Sequence, residues 1–231
     1  MLSVIIPAHN EAAQLPATLM ALRQAAGALA LDWEVIVVDD ASEDGTAEVA
    51  RVHGAQVLRV EHRQIAATRN AGAQAARGQA LLFVDADTSV DAPVLAAAVA
   101  ALEGGAVGGG ARVTMPEAGA WHVRLGEWCF GWLFRFTGIA PGCFLFCTRA
   151  AFDAAGGFNQ RYYAGEDVAM SRALARIGRF VILREAVRTS ARKLQMFTPW
   201  EHLRLMLRFA LMRRRMLTSR RHLDFWYGRR R

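Results

Sequence analysis

The stretch LLFVDADTSVD constrains this chain more than any other, because an apolar run, Leu81 to Val84, stops abruptly at Asp85-Ala86-Asp87. A short apolar run that ends in carboxylates reads as a buried strand emerging at the rim of a sheet. Read as strand, residues i and i+2 point to one side, so Asp85 and Asp87 converge on one hard cation with Ala86 leaving room between them. That pair suits Mg²⁺ or Mn²⁺ carrying a diphosphate. Alone, an Asp-x-Asp triplet is more often a solvated turn; the apolar residues before it argue for the strand.

The rest of the chain supplies a sheet for that strand to belong to. Residues 2 to 6, EVIVVDD, QVLRV and ALLFVDAD read as strands. Between them lie a helix from Glu11 to about Ala28, a turn from Ser42 to Thr46 leading into a helix through Val52, and an Ala-rich helix from Ile65 to Arg77. This β-α-β-α order predicts an open, mostly parallel sheet with helices on both faces. Ligands of such sheets sit outside the carboxyl ends of the strands, where Pro7 to Glu11, Asp39-Asp40 and Asp85-Ala86-Asp87 fall. Further on, a helix over Pro93 to Leu102 precedes VGGGARV, a strand with a glycine-weakened start. Residues 120 to 136 read as an aromatic helix and GCFLFCT as a buried strand. Glu166 to Ile177 is then a helix, FVILRE a strand, and Pro199 to Leu217 an arginine-studded helix. No repeat or low-complexity linker divides the chain, so its 231 residues read as one compact unit.

Composition removes several classes of function. Lys193 is the sole lysine, which leaves Schiff-base and P-loop mechanisms one poorly placed candidate. Cys129, Cys143 and Cys147 are odd in number and lack metal-ligand spacing, so they read as reduced core thiols. The N-terminus reads as a first strand and not as a secretory signal, which predicts a cytoplasmic protein. Arg135 interrupts the aromatic run Trp128 to Phe146, so no stretch spans a bilayer.

The net charge of +7 is unevenly placed: residues 1 to 183 hold 14 Arg against 18 acids (−4), and residues 184 to 231 hold 14 Arg plus Lys against 3 acids (+11). In the basic end Leu203, Leu207 and Leu211 share one helix face and Arg204, Arg208 and Arg215 another. Such a helix fits the inner face of an anionic membrane, with Phe225, Trp226 and Tyr227 at headgroup depth. A core-packed helix with a solvated arginine face fits the pattern equally well. The aromatic segment Trp121 to Phe136 reads either as an apolar acceptor groove or as ordinary core.

Taken in order, SVIIPAHNE, VIVVDDASEDGTAE, RNAGAQAARGQALLFVDADTSV and AGEDVAMSRAL resemble the inverting glycosyltransferases of family 2 over about residues 1 to 190. GEDVAMSRALARIGRFVIL followed by VRTSARK is similar to small, compact bacterial members. The resemblance implies a GT-A type fold: a Rossmann-like, mostly parallel sheet flanked by helices. It implies a GT-A domain over residues 1–195, with a nucleotide-sugar half (1–115) and an acceptor half (116–195); beyond it the charge and leucine pattern reads as a helical, Arg-rich C-terminal extension, a basic amphipathic segment over 196–231.

Site residues follow from the matched motifs. Pro7, His9 and Glu11 match positions that line the base and ribose, and Asp39 and Asp40 match the acids that hold the base; a helix-capping or turn role is their plain alternative. Arg69 is placed to reach the diphosphate or Asp85, unless it is an exposed helix arginine. Asp85 and Asp87 would hold Mg²⁺ or Mn²⁺, with Ala86 between them at the sugar nucleotide. Asp167 matches the base that deprotonates the acceptor hydroxyl, and Glu166 binds or orients the acceptor. Both open a helix, whose N-terminus would lower their pKa. The Gln-x-x-Arg-Trp motif of processive synthases is absent; Arg188 to Arg192 stand there, which disfavours polymer synthesis. His122, His202 and His222 are scattered and carry no assigned role.

The function so implied is metal-dependent transfer of a single sugar from a nucleotide-diphosphate sugar, UDP-linked by preference or GDP-linked, to a hydroxyl acceptor, lipid-linked acceptors included. Two alternatives stand beside it. One is a nucleotidyltransferase, which the lack of a Gly-rich phosphate loop disfavours. The other is a basic membrane- or nucleic-acid-binding module on a nucleotide-binding scaffold, of which the nucleic-acid form is the less favoured.

Overall fold

The structure, a computed structural model, describes residues 1–115 and 138–192. The expected helices at 120–136 and 199–217, with Cys129 and the basic segment 196–231, lie outside the described residues.

Successive strand residues point to opposite faces, and here both faces are apolar, so each central strand feeds two cores. In β1 (Leu2–Ala8), Val4 and Ile6 enter one core and Ile5 the other. In β2 (Trp33–Asp40), Val35 and Val37 oppose Ile36 and Val38, and in β4 (Ala80–Val84), Leu82 and Val84 oppose Leu81 and Phe83. Helices α1 (Leu15–Ala28) and α4 (Ala92–Glu103) cover the first face. Helices α3 (Ile65–Ala75), α5 (Arg149–Ala155) and α6 (Glu166–Ile177) cover the second. There Phe83 stacks on Phe152 at 5.6 Å and meets Phe158 edge-on at 4.9 Å. Aromatic pairs in such geometry contribute about 0.5–1.5 kcal/mol beyond the area they bury.

The remaining elements are α2 (Thr46–Val52), β3 (Gln56–Val60), β5 (Thr88–Ser89), β6 (Gly108–Thr114), β7 (Phe144–Thr148) and β8 (Phe180–Thr189). They complete one sheet in the order β3-β2-β1-β4-β7-β6-β8-β5. Strands β1 to β4, β6 and β8 run one way and β5 and β7 the other, so the sheet is mostly parallel, as expected. The reversal of β7 has a functional consequence. An antiparallel strand begins where its neighbour ends, and Phe144 pairs with Val84. The loop before β7 is therefore delivered to the rim where Asp85 emerges.

Two glycines permit close approaches. A Cβ on Gly72 of α3 would lie 2.4 Å from Ile5 Cγ2 and 2.8 Å from Val38 Cγ2, so the helix lies directly on β1 and β2. A Cβ on Gly110 of β6 would lie 2.4 Å from that of Ala140. Gly110, one of the glycines read as weakening β6, is thus what lets the chain before β7 pack against it.

Three expectations need correction. Asp85 and Asp87 are not strand residues, because β4 ends at Val84. The chain then turns, with Thr88 N–H donating to the Asp85 carbonyl at 3.1 Å. Helix α3 ends at Ala75, where Arg149 donates to the carbonyls of Ala73, Ala76 and Gly78 and so terminates it. Helix α5, which no periodicity marked, is a single short run capped by the Thr148 hydroxyl. Among the described residues no helix is long and apolar enough to cross a membrane.

Candidate functional site

At the end of β1, Pro7 is buried and His9 is exposed, its Nδ1 2.7 Å from the Asp40 carbonyl oxygen. The buried Glu11 donates its N–H to Thr46 Oγ1 at 2.9 Å and pairs its carboxylate with Arg192 at 2.9 Å. The carboxylates after β2 have protein partners of their own. Asp40 accepts from Arg63 N–H at 2.8 Å, Gln64 N–H at 3.2 Å and the Thr68 hydroxyl at 2.7 Å, clamping the chain where it enters α3. Asp39 accepts from Ser42 N–H at 3.2 Å and lies 3.5 Å from Arg59 Nε. Both acids sit at the rim as expected, buried, and built into the turns they begin.

The turn Asp85-Ala86-Asp87 is fixed from three directions. Asp85 N–H donates to the Cys143 carbonyl at 3.2 Å, the Thr18 hydroxyl donates to the Ala86 carbonyl at 2.9 Å, and Ser190 N–H donates to that of Asp87 at 3.3 Å. Thr189 Oγ1 lies 3.5 Å from Asp87 Oδ1. The end of β8 thus straps across the turn and continues to Arg192 on Glu11. Among the described residues no group of three or more His, Cys, Asp or Glu side chains is placed to hold a metal ion. Two half-buried carboxylates on one tight turn nevertheless fit a hard cation such as Mg²⁺, which takes one or two protein carboxylates and completes its shell with water and substrate phosphates.

Arg69 joins this turn to the opposite side of the rim. It is 1% exposed; Nη2 donates to Asp85 Oδ1 at 2.9 Å and to the Gly142 carbonyl at 2.7 Å, and Nη1 donates to Glu166 Oε1 at 2.9 Å. Its guanidinium carbon stands 5.2 Å from the centre of the Phe158 ring, and Nε is buried without a hydrogen-bond partner. Arg69 thus contacts Asp85, one of the two targets foreseen for it. Its neighbour Asn70 holds Phe158 in place, donating to the Phe158 carbonyl and accepting from its N–H, each at 2.8 Å.

Glu166 and Asp167 open α6 after Gly165, which adopts a left-handed φ of 76°. Their electrostatics correct the expectation from the helix N-terminus. Burial raises the Glu166 carboxyl to about 7, against the downward pull of Arg69 and with the neighbouring Asp167 adding to the rise. Burial likewise raises Asp167, again against Arg69. Removal from water outweighs the helix terminus, whose effect is of order 1 kcal/mol. Asp167 lies close to Gly142, where an added Cβ would come within 3.0 Å of Oδ2. Burial and the nearby Asp85 and Asp87 push the Cys143 thiol up, which keeps it from acting as a thiolate.

Asp85, Arg69 and Glu166 therefore form one contact chain, with Asp87 beside its first member and Asp167 beside its last. Glu11 joins through the β8 strap, whereas His9, Asp39 and Asp40 stand along the rim without contact to that chain. Sequence reasoning missed Gly142, Asn70, Phe158 and Thr189. Asn70 alone left a signal, standing next to Arg69 within RNAG.

Comparison with known proteins agrees with the fold. A dolichyl-phosphate beta-glucosyltransferase of Drosophila melanogaster is 40% identical over 105 residues, which is 40% of this chain and 32% of that protein. An uncharacterized glycosyltransferase of Mycobacterium tuberculosis is 38% identical over 135 residues, 58% of this chain and 59% of that one. The chain thus spans about a third to three fifths of the length of these relatives. In fold it is similar to a mannosyltransferase from Pyrobaculum calidifontis in complex with GDP-Man and Mn²⁺. That likeness has a TM-score of 0.68 at 20% identity and covers 88% of this chain and 59% of that structure. The family profile described as glycosyl transferase family 2 matches residues 3–156, two thirds of the sequence, and the chain belongs to that family.

Proposed function

We propose that the chain transfers a single sugar, with inversion, from a nucleotide-diphosphate sugar to a hydroxyl acceptor, with Mg²⁺ or Mn²⁺ held by Asp85 and Asp87. The observation that carries this reading is the convergence of Asp85 and Glu166 on one buried guanidinium. It joins a carboxylate suited to a cation to a carboxylate suited to an acceptor. Pro7, His9, Glu11, Asp39 and Asp40 line the rim for the base and ribose, with Ala86 at the sugar nucleotide. When bound, the cation supplies Lewis-acid stabilisation of the leaving diphosphate. Asp167 takes the proton of the acceptor hydroxyl as that oxygen attacks the anomeric carbon from the face opposite the diphosphate, and Glu166 orients the acceptor. Because burial raises both acids, the base gives up its proton at a higher pH than an ordinary aspartate does, and turnover rises with pH as the Glu166–Asp167 pair ionises.

The donor half is residues 1–115 and the acceptor half residues 116–195, with 196–231 a basic segment that rests on the inner face of an anionic membrane. UDP is the preferred nucleotide; the GDP-Man of the Pyrobaculum calidifontis neighbour keeps GDP in the panel. A lipid-linked acceptor is supported by the Drosophila relative, whose name carries dolichyl phosphate. The lack of a Gln-x-x-Arg-Trp motif supports one transfer per acceptor.

The test is a thermal-shift panel of UDP, GDP, CDP and dTDP, each with and without Mn²⁺ or Mg²⁺, since a ligand that binds only the folded state stabilises it. Metal-dependent stabilisation by one nucleotide, abolished in Asp87→Ala, is the expected result. No shift with any nucleotide would sink the reading.

A further inference from the structure

On the basis of that reading, we propose that Arg69 is the positioning residue of the transfer step: one guanidinium holds the cation-bearing Asp85 and the acceptor-side pair Glu166 and Asp167 in a fixed relation, so that neither half of the site is set without the other. Arg69 is too deeply buried to meet substrate, and its role is exercised through the carboxylates it holds. Three acceptors from three separate segments meet its two terminal nitrogens: Asp85 after β4, Gly142 before β7 and Glu166 at the start of α6. A planar guanidinium meets such divergent acceptors at once, whereas an ammonium is a point charge on a flexible stem.

The guanidinium is itself fixed. Phe158 lies against it, Asn70 clasps the Phe158 backbone from the next position on α3, and Gln64 at the start of that helix donates to the Gln160 carbonyl. Helix α3 therefore carries both the arginine and the anchors of the loop leading to Glu166.

Charge makes the position consequential. Glu166 faces Arg69 from α3, Asp167 beside it on α6, and Asp85 across the rim. Asp167 faces Arg69, Asp85 and the Gly142 backbone. Arg69 is the cation that draws both acids toward ionisation against burial. A bystander cross-link would hold the loops together and leave those ionisations alone.

The experiment follows the Glu166 side-chain carboxyl by ¹³C NMR in the ligand-free protein, together with calorimetric binding of UDP or GDP with Mn²⁺ and steady-state transfer from the matching sugar nucleotide. In Arg69→Met the midpoint of Glu166 rises by about one pH unit or more, as loss of an adjacent opposite charge requires. Arg69→Lys keeps the charge and so holds the midpoint near the wild-type value, with nucleotide affinity within about threefold. It loses on the order of 100-fold in kcat because the fork is gone. An unmoved midpoint in a folded Arg69→Met protein overturns the proposal and leaves the transferase reading intact. Wild-type kcat in Arg69→Lys does the same, and that variant decides the matter if Arg69→Met does not fold. Failure of the wild-type protein to bind UDP or GDP with Mn²⁺ overturns the transferase reading, and this proposal with it, whatever the titration shows.

Discussion

Asp40 is where two readings of one carboxylate give opposite experimental results. As a base-binding group it is dispensable to the fold; as the clamp at the entry to α3 it is part of the fold. The carboxylate is buried and accepts from the N–H groups of Arg63 and Gln64 and from the Thr68 hydroxyl. In Asp40→Ala the Thr68 hydroxyl keeps a second acceptor, the Gln64 carbonyl at 2.9 Å, so two backbone donors lose their partner. A hydrogen bond to a charged group contributes about 1.5–3 kcal/mol, and here partial access of water to the two donors and relief of a buried charge offset some of that. The net expectation is a loss of about 2–3 kcal/mol. It also frees Arg63, whose φ of 49° is a left-handed conformation that a side chain resists. At roughly 2–4 °C per kcal/mol for a chain of this size, Tm falls by about 4–12 °C. Asp40→Asn, which keeps one acceptor oxygen, loses about half as much. Urea and thermal unfolding followed by circular dichroism measure both variants. Stability within about 0.5 kcal/mol of wild type, with nucleotide binding abolished, would refute the clamp and return Asp40 to the base.

Other substitutions test the packing and charge of the site. Gly72→Ala drives a methyl group into Ile5 and Val38, two β-branched side chains with no room to turn, and destabilises by about 1–3 kcal/mol in urea unfolding. Gly142→Ala places a Cβ 3.0 Å from Asp167 Oδ2; kcat for sugar transfer falls at least about 10-fold while Tm moves little, because the neighbour displaced is the proposed base. Glu166 has a folded pKa of about 7 against an ordinary 4.5, so its contribution to stability is full below about 4.5 and is lost as pH rises through about 7. Glu166→Gln mimics the protonated form. It is therefore more stable than wild type by on the order of 2 kcal/mol at pH 8, with the difference gone near pH 4, as read from urea midpoints.

The central strands were legible because a strand buried on both faces is a continuous apolar run, and the runs of β1, β2 and β4 each give way to polar residues at the rim. Direction was not legible. FLFCT reads the same in either sense, and only its pairing with β4 and β6 reveals that β7 runs backward and brings Gly142 to the site. Local rules also misjudged groups whose partners are distant in sequence. Asp40 takes its donors from 23 to 28 positions away, and Arg69 takes Glu166 from 97. The rule that a helix N-terminus favours carboxylates holds for Glu166 and Asp167 as far as it goes. It is overridden because the tertiary fold removes both from water, a fact no local window contains.

That burial ties the two halves of the site together in a second way. Asp85, Glu166 and Asp167 act on a single guanidinium, with Asp87 beside Asp85, so the cluster is short of positive charge and has two routes to neutrality: a proton on the Glu166–Asp167 pair, or a divalent cation at the proposed Asp85 and Asp87 site. The two compete. As pH falls through about 7, Glu166 takes up a proton, the cluster becomes less negative, and affinity for Mn²⁺ with the cognate nucleotide weakens. By reciprocity the bound cation releases that proton, leaving the acceptor side ionised once the donor is loaded. Calorimetry at pH 6 and pH 8 in two buffers of different ionisation enthalpy measures both sides of this linkage. Tighter binding at pH 8 and proton release at pH 7 are expected, and Glu166→Gln should flatten both. Affinity independent of pH across that range, with no proton released, would mean that the two carboxylate pairs do not sense each other and that Arg69 neutralises each of them separately.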